Sequence, residues 1–266
     1  MDVTPSYAFD NFSDADRRAE LARLQRQAGA MLDLELGILR ELGLAQDSDV
    51  AEIGCGPGFL TGALAQVAAN GSAVGVDASR ELLDAARTVV APQHPNLRFQ
   101  HGLAEATGLP DAGCSFVYNR LLYQHLRDPL AALREARRIT RPGGLVCVMD
   151  VDDGWLSLHP RVEAFERLTA LAQAAQVRNG GDRFIGRKLP ALMAEAGLSA
   201  VSVRVAAVSS LDLGLDAFLD ITTRFKAIQI GTPEALALLR EIDVAVKSAA
   251  QPPFGIVGVF CVVGRV

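Results

Sequence analysis

Cysteine is scarce in this chain, and the spacing of its cysteines excludes two kinds of site. The four residues are far apart: Cys55, Cys114, Cys147 and Cys261. They show neither the short spacing of a metal site nor a disulfide framework. We therefore expect no bound metal. Most of these thiols are expected to be small buried groups in a protein of the reducing cytoplasm.

Positive charge and long apolar runs are also lacking. The formal net charge is -5, and lysine and arginine form no block of the kind that marks a nucleic-acid surface. The apolar stretches are too short to cross a bilayer. The start of the sequence has no basic region followed by an apolar core, so no secretion signal is expected. These absences predict neither a nucleic-acid partner nor a membrane partner.

The sequence does contain short β-branched runs that alternate with helical stretches, a pattern typical of an α/β sheet. Strands are predicted near 50–53, 73–76, 97–99, 114–118 and 144–150, and helices near 14–42, 59–69, 79–90 and 128–140. With 266 residues, of which 50% are hydrophobic, the chain is long enough for one such domain with elaborations.

A glycine-rich turn follows the first predicted strand. Glycines alternate with other residues over 54–58, and the next strand ends in Asp77. Glycines let a backbone approach a ligand closely. A carboxylate at the tip of the second strand can accept hydrogen bonds from both hydroxyls of a ribose. The pattern therefore predicts a nucleotide-like cofactor with a free ribose diol.

The spacing of the glycines distinguishes two classes of cofactor. A dinucleotide fingerprint needs glycine at its sixth position, which here is Phe59. Glu52, just before the first glycine, would repel a pyrophosphate but suits a cationic ligand. Both features disfavour NAD. A nicotinamide oxidoreductase stays as an alternative that a titration with NAD would test.

At this motif the chain resembles the class I S-adenosylmethionine-dependent methyltransferases, and in particular their small-molecule members of natural-product and quinone type. The resemblance covers about 50–209 and includes the turn at 138–144. It implies a Rossmann-like, mostly parallel sheet of seven strands with flanking helices and a helical lid. Two late strands are expected near 198–208 and 255–264, the final one antiparallel. S-adenosylmethionine is the implied cofactor.

The resemblance also implies which residues contact the cofactor. They are Tyr7, Glu52, Gly54, Cys55, Gly56, Gly58, Asp77, Ala78, Leu103, Ala104, Asn119 and Arg120. Relatives usually carry an aspartate where Leu103 stands, so adenine recognition is expected to fall on backbone groups around Leu103 and Ala104. Tyr7 is expected to cover the methionine end of the ligand or to anchor the first helix.

Two regions are expected to cover the site. Residues 1–45 are interpreted as an N-terminal helical lid segment, and 46–266 as the methyltransferase domain. Helical insertions near 151–185 and 210–252 follow the fifth and sixth strands, on the edge of the sheet where a substrate must enter.

Methyl transfer from a sulfonium requires alignment of donor and acceptor more than a set of acid–base groups. His125 is the candidate base, with Tyr123 beside it, in the loop after the fourth strand. A structural role for His125 is the alternative. Across from them, Asp152, Asp153 and Trp155 could bind a basic or polyhydroxylated acceptor, or the acids could cap the following segment.

The sequence thus predicts a cytoplasmic methyltransferase that acts on a small-molecule acceptor of secondary metabolism, as a monomer or homodimer. The methylated atom is an oxygen, nitrogen or carbon. The alternatives are a cyclase or lyase that keeps the cofactor structurally, and a regulatory cofactor-binding protein on the same scaffold.

Overall fold

The computed structural model describes Phe9 and residues 14–266, with the side chains of Phe9 and of residue 17 onward. Within this part of the chain, eight strands form one sheet. They are β1 (Asp49–Ile53), β2 (Ser72–Asp77), β3 (Leu97–His101), β4 (Cys114–Arg120), β5 (Thr140–Val151), β6 (Ser157–His159), β7 (Ser199–Ser209) and β8 (Phe254–Arg265).

Ten α-helices are found in the same part of the chain. They are α1 (Asp14–Leu42), α2 (Phe59–Val67), α3 (Arg80–Val89), α4 (Pro129–Ile139), α5 (Glu163–Arg178), α6 (Leu189–Glu195), α7 (Ser210–Leu213), α8 (Leu215–Leu219), α9 (Phe225–Ile230) and α10 (Pro233–Ser248). A π-helical turn, Asp220–Arg224, joins α8 to α9. None of the described helices is both long and apolar enough to cross a membrane.

The first five strands run parallel in the order β3-β2-β1-β4-β5, and β8 lies antiparallel between β5 and β7. This arrangement confirms the Rossmann-like sheet and its antiparallel final strand. The described sheet has one strand more than expected. The additional strand, β6, pairs with the start of β8 because the chain turns back beyond β5 and buries Leu158 there.

Side chains alternate between the two faces of the sheet, as the geometry of a strand requires. On β4, Phe116 and Tyr118 belong to one apolar cluster, and Val117 belongs to the other. Short sequence signals set the helix starts. The side chain of Asp128 accepts a hydrogen bond from the Ala131 N–H, and Pro129 occupies the first turn of α4.

The strand order reverses direction between β1 and β4. At such a point the loops after the two strands diverge and leave a crevice at the carboxyl edge, where open α/β sheets bind ligands. The glycine turn after β1 and the loop after β4 both reach this crevice, and α1 runs past it. Leu36 and Leu39, in the second half of α1, pack in the core.

Candidate functional site

A cavity of about 700 Å³ occupies the crevice where the strand order reverses. Its lining includes most of the residues expected to contact a cofactor. These are Glu52, Gly54, Cys55, Gly56, Asp77, Ala78, Leu103, Ala104 and Arg120. His125 also lines the cavity, whereas Gly58, Asn119 and Tyr123 are not part of its lining. Tyr7 lies outside the described residues.

The glycine turn uses two of its glycines for different reasons. Gly56 has φ of +53°, and a Cβ added there would meet no described atom within 4 Å, so the cavity comes up to its backbone. A Cβ on Gly58 would lie 2.5 Å from the Phe99 ring and 3.0 Å from Ala86. Gly58 therefore serves close packing behind the turn, and Gly56 leaves room in front of it.

Asp77 connects the end of β2 to the glycine turn. Its Oδ2 atom accepts a hydrogen bond of 2.7 Å from the Gly56 N–H, and its Oδ1 atom accepts one of 2.8 Å from the Ser79 N–H. These two bonds hold the carboxylate at the cavity wall. Each carboxylate oxygen has a second acceptor site, so the group can also bind a diol.

Glu52 lies at the base of the cavity, at the end of β1. It is almost fully buried, and its Oε2 atom accepts a 2.6 Å hydrogen bond from the Thr61 hydroxyl. Burial raises the pKa of Glu52 to about 8, against the opposing effect of the Thr61 bond. The carboxyl group is therefore mostly protonated at pH 7, and a cation in the cavity would favour its ionised form.

An ion pair connects the first helix to the end of β4. Arg120 Nε lies 2.6 Å from Oε1 of the fully buried Glu35, and Arg120 Nη2 donates to the Gln27 carbonyl at 2.9 Å. Tyr118 donates to the same Glu35 oxygen at 3.2 Å. The sequence analysis missed Glu35, because it lies in an ordinary helical segment 85 residues before its partner.

The loop after β3 is closed by its own backbone. Leu103 and Ala106 exchange two hydrogen bonds, N–H to carbonyl, each 3.1 Å long. The backbone groups of Leu103 are thus engaged within the loop. Of the two residues expected to recognise adenine through their backbone, Ala104 is the better candidate.

His125 lines the cavity in a short turn after β4, and its Nδ1 atom lies 3.1 Å from Nε2 of Gln176 on α5. Burial lowers the pKa of His125 to about 3, and the neighbouring charges of Arg183 and Arg23 act in the same direction. The imidazole is therefore neutral at physiological pH. A group with so low a pKa is a weak general base there.

Tyr123 and Asn119 support the cavity from behind. Tyr123 is fully buried in the apolar cluster beneath the sheet, and its hydroxyl has no hydrogen-bond partner within the described residues. The side chain of Asn119 donates a 3.3 Å hydrogen bond to the Ile53 carbonyl, which ties β4 to β1. The structure places neither side chain in the cavity lining.

The acidic residues after β5 do not form an acidic pocket. Asp152 forms an ion pair with Arg187, and Asp153 forms ion pairs with Arg183 and Lys226. Trp155 is half exposed and packs edge-on against Phe260. Both carboxylates are thus paired with cations that the chain supplies from distant segments, and buried carboxylates are stable when they are paired in this way.

The geometry described so far defines a class: a Rossmann-like domain with a ligand cavity at its glycine turn. The comparisons with known proteins agree. Residues 51–148 match the family described as a methyltransferase domain. This segment of the chain is therefore similar to a methyltransferase domain, and S-adenosylmethionine is the cofactor that the match indicates.

Two relatives and one solved structure show the extent of the similarity. An uncharacterised protein from a transposon of Streptomyces fradiae is 32% identical over 225 residues, which is 80% of this chain and 61% of that protein. The ubiquinone biosynthesis O-methyltransferase of Ruegeria pomeroyi is 33% identical over 124 residues, which is 46% of this chain and 47% of the enzyme. This chain thus spans about half to three fifths of these relatives' lengths.

The crystal structure of the YcgJ protein of Bacillus subtilis aligns with a TM-score of 0.60 at 19% identity. The alignment covers 86% of this chain and 97% of that one. At this identity the likeness concerns the fold. Within the described residues, His, Cys, Asp and Glu side chains form no group of three or more that could hold a metal ion.

Proposed function

We propose that this protein is an active methyltransferase that transfers the methyl group of S-adenosylmethionine to a small-molecule acceptor. The observation that carries the proposal is the position of Asp77. Its carboxylate is bound to the glycine turn and lies at the wall of the large cavity, where a ribose diol would replace water.

The roles of the remaining cofactor residues follow from their places in this cavity. Glu52 is proposed to lie beside the sulfonium, Arg120 to line the cavity between the cofactor and the acceptor, and the Ala104 backbone to bind adenine. Gly54, Cys55, Gly56 and Ala78 form the surface on which the ligand lies. Gly58 and Asn119 act indirectly, through packing and through the bond from Asn119 to β1. The role of Tyr7 stays a prediction.

Catalysis in this proposal depends on alignment and on exclusion of water. The cofactor carries its own leaving group, so the protein need only hold the acceptor atom in line with the methyl group. The neutral imidazole of His125, fixed by Gln176, is proposed to orient the acceptor by hydrogen bonding, and Tyr123 to support the turn from beneath.

The first helix is proposed to act as a lid, within an N-terminal segment of residues 1–45. Four residues in the first half of α1 line the cavity: Arg23, Leu24, Gln27 and Ala28. The second half packs in the core and gives the helix a fixed base. A helix held at one end can open at the other, which would admit substrate and release product.

A small metabolite fits this site better than a macromolecule. A cavity of about 700 Å³ is within the range of small-molecule sites. A role in secondary metabolism, a cytoplasmic location and a monomeric or homodimeric state complete the proposal. The similarity to a ubiquinone biosynthesis O-methyltransferase supports a small-molecule acceptor, and the net charge of -5 argues against nucleic acid.

Calorimetry with S-adenosylhomocysteine tests the proposal directly. Asp77→Ala should weaken binding by about 1–3 kcal/mol, because two ribose hydroxyls lose a charged acceptor. Asp84→Ala, on the exposed face of α3, is the matched control and should bind as the parent does. Unchanged affinity in a folded Asp77→Ala variant would remove this residue from the site.

Incubation with methyl-labelled S-adenosylmethionine and a panel of phenols, amines and carbon acids then tests turnover. Label in an acceptor supports the proposal. Tight cofactor binding with no transfer to the panel, together with rearrangement of an added polyene, would favour the cyclase alternative. Binding of NAD in place of S-adenosylhomocysteine would favour an oxidoreductase.

A further inference from the structure

A second cavity, of about 640 Å³, lies beside the first. The two cavities share Arg23, Arg183, Phe225 and Gln229, so they adjoin at these residues. Among the described residues that line the second cavity, cations outnumber carboxylates. The cations are Arg23, Arg26, Arg183, Arg224 and Lys226, and the carboxylates are Glu20 and Asp220. Arg23 is paired with Glu20, and Arg224 is paired with Asp216, Asp220 and Asp243. The cations of interest in this lining are therefore Arg183 and Lys226, which share one carboxylate.

Arg183, which lines both cavities, belongs to a buried cluster of three charged groups. Arg183 binds Asp153 through two hydrogen bonds, 2.9 Å from Nε to Oδ2 and 2.8 Å from Nη2 to Oδ1. Lys226 Nζ lies 3.1 and 3.3 Å from the oxygens of the same carboxylate. All three residues are more than nine-tenths buried. Two cations thus share one anion, and the cluster carries a net charge of +1 when Lys226 is protonated.

The fold does not require the second cation. The Arg183–Asp153 pair is bidentate and neutral by itself, and Gln124 accepts a further hydrogen bond from Nη1 of Arg183. An additional buried ammonium adds a desolvation penalty without a second carboxylate to offset it. Such a charge is expected where a ligand of opposite charge completes the cluster.

Burial lowers the pKa of Lys226 to about 7, and Arg183 acts in the same direction, so without an anion this side chain loses part of its charge at neutral pH. A bound carboxylate would favour its protonated form. The next buried carboxyl group, Asp150, accepts hydrogen bonds from the backbone of Gln124 and Val151. Burial raises the pKa of Asp150 to about 7, so it does not supply a full compensating charge at neutral pH.

We infer that the acceptor carries a carboxylate group, which binds in the second cavity against Arg183 and Lys226 while the methyl-accepting atom lies in the first. This inference rests on the proposed function and narrows its substrate class. A carboxylate brings one negative charge to a cluster that has one surplus positive charge. A phosphate dianion would exceed that charge.

Small probes test the anion site without knowledge of the acceptor. The parent protein is titrated with acetate and benzoate, each matched with its uncharged amide, at constant ionic strength, and thermal unfolding reports binding. The acids should raise Tm and the amides should not. Lys226→Met, which leaves the Arg183–Asp153 pair neutral, should weaken acid binding about tenfold or more.

Two further variants make the test specific. Arg26→Met removes the same charge from an exposed position on the second cavity's lining and should change acid binding less than about threefold, because water and salt screen that charge. Asp153→Asn raises the charge of the cluster to about +2 and should tighten acid binding. If Asp153→Asn does not fold, the test rests on whether Lys226→Met weakens acid binding more than Arg26→Met does.

Equal Tm shifts for acids and amides, or equal acid binding in Lys226→Met and the parent, would overturn the inference. So would phosphate binding that is tighter than acetate binding and sensitive to Lys226→Met. Calorimetry with S-adenosylhomocysteine on the same proteins distinguishes failure of the carboxylate inference from failure of the proposed function. If the parent protein binds S-adenosylhomocysteine but the acids do not raise Tm, only the acceptor class is rejected. If the parent protein does not bind S-adenosylhomocysteine, the proposed function is rejected.

Discussion

The part of the site at the ends of β1 and β2, proposed as the cofactor half, is held by backbone groups. The part at the ends of β4 and β5, proposed as the acceptor half, is held by ion pairs. Gly56 and Asp77, which meet in the first half, are 21 residues apart. In the second half, Arg120 and Glu35 are 85 residues apart, and Lys226 and Asp153 are 73 apart.

This difference shows how the two halves can change independently. A turn that binds through its backbone keeps its geometry as long as its glycines and its strand register are kept. Ion pairs between distant segments depend on two side chains at once, and a change in either one alters the pocket. The cofactor half is thus suited to one constant ligand and the acceptor half to a variable one.

Gly56→Val should have the largest effect and would test the backbone half. A branched side chain would occupy the cavity, and φ of +53° disfavours it there, so calorimetry should show affinity for S-adenosylhomocysteine lowered about 100-fold or more. Gly143→Val is the matched control: its φ is +80° and no described atom lies within 4 Å of its Cβ position, but it lies outside the cavity lining. Equal affinity of the two variants for S-adenosylhomocysteine would contradict a backbone-held cofactor half.

Arg120→Met tests the ion-pair half. It leaves Glu35 buried without its cation, and we expect a loss of about 3 kcal/mol in the free energy of unfolding, measured with urea. Replacing both residues, as Glu35→Gln with Arg120→Met, should restore part of it. Arg161→Met breaks an exposed pair with Glu166 and should leave stability unchanged. Equal losses of stability in Arg120→Met and Arg161→Met would contradict a special role for the buried ion pair.

The pH dependence of cofactor affinity tests the role of Glu52 in the cofactor half. Its pKa of about 8 means that it is protonated below pH 8 in the free protein, whereas a cationic ligand favours the ionised form. Affinity for S-adenosylmethionine should therefore rise from pH 6 to pH 8, by up to about tenfold per unit, and level off above. Calorimetry in buffers of different ionisation enthalpy should show proton release, and Glu52→Gln should abolish it. A flat profile in the parent would reject this linkage.

His125→Ala should have the smallest effect. Because the pKa of His125 is about 3, the rate should show no limb near pH 6.5, and turnover should fall less than about tenfold while cofactor affinity is kept. His125→Asn, which keeps a group that can accept from Gln176, should recover much of the loss. A loss of about 100-fold or more with a shifted pH profile would establish a general base.

Much of the fold and of the cofactor half could be predicted because their signals are local. The helix Asp14–Leu42 and the strands β1 to β5 lie where periodicity and turn residues indicate. The glycine turn and Asp77 meet as their spacing suggests. The acceptor half could not be predicted in this way. Neither Glu35 nor Lys226 stands out in its own segment, and each matters only through a distant partner.

The sequence by itself thus determined the strands β1 to β5, the glycine turn and the prediction of a ligand with a ribose diol, because strand alternation, glycine conformations and helix caps are properties of neighbouring residues. Only the tertiary structure decided the electrostatics of the acceptor side. Asp152 and Asp153 form an acidic pair in the sequence. In the folded protein Arg183, Arg187 and Lys226 lie next to them and form ion pairs with them. The sign of a buried site depends on which charges the fold brings together, and that pairing is not a property of any one segment.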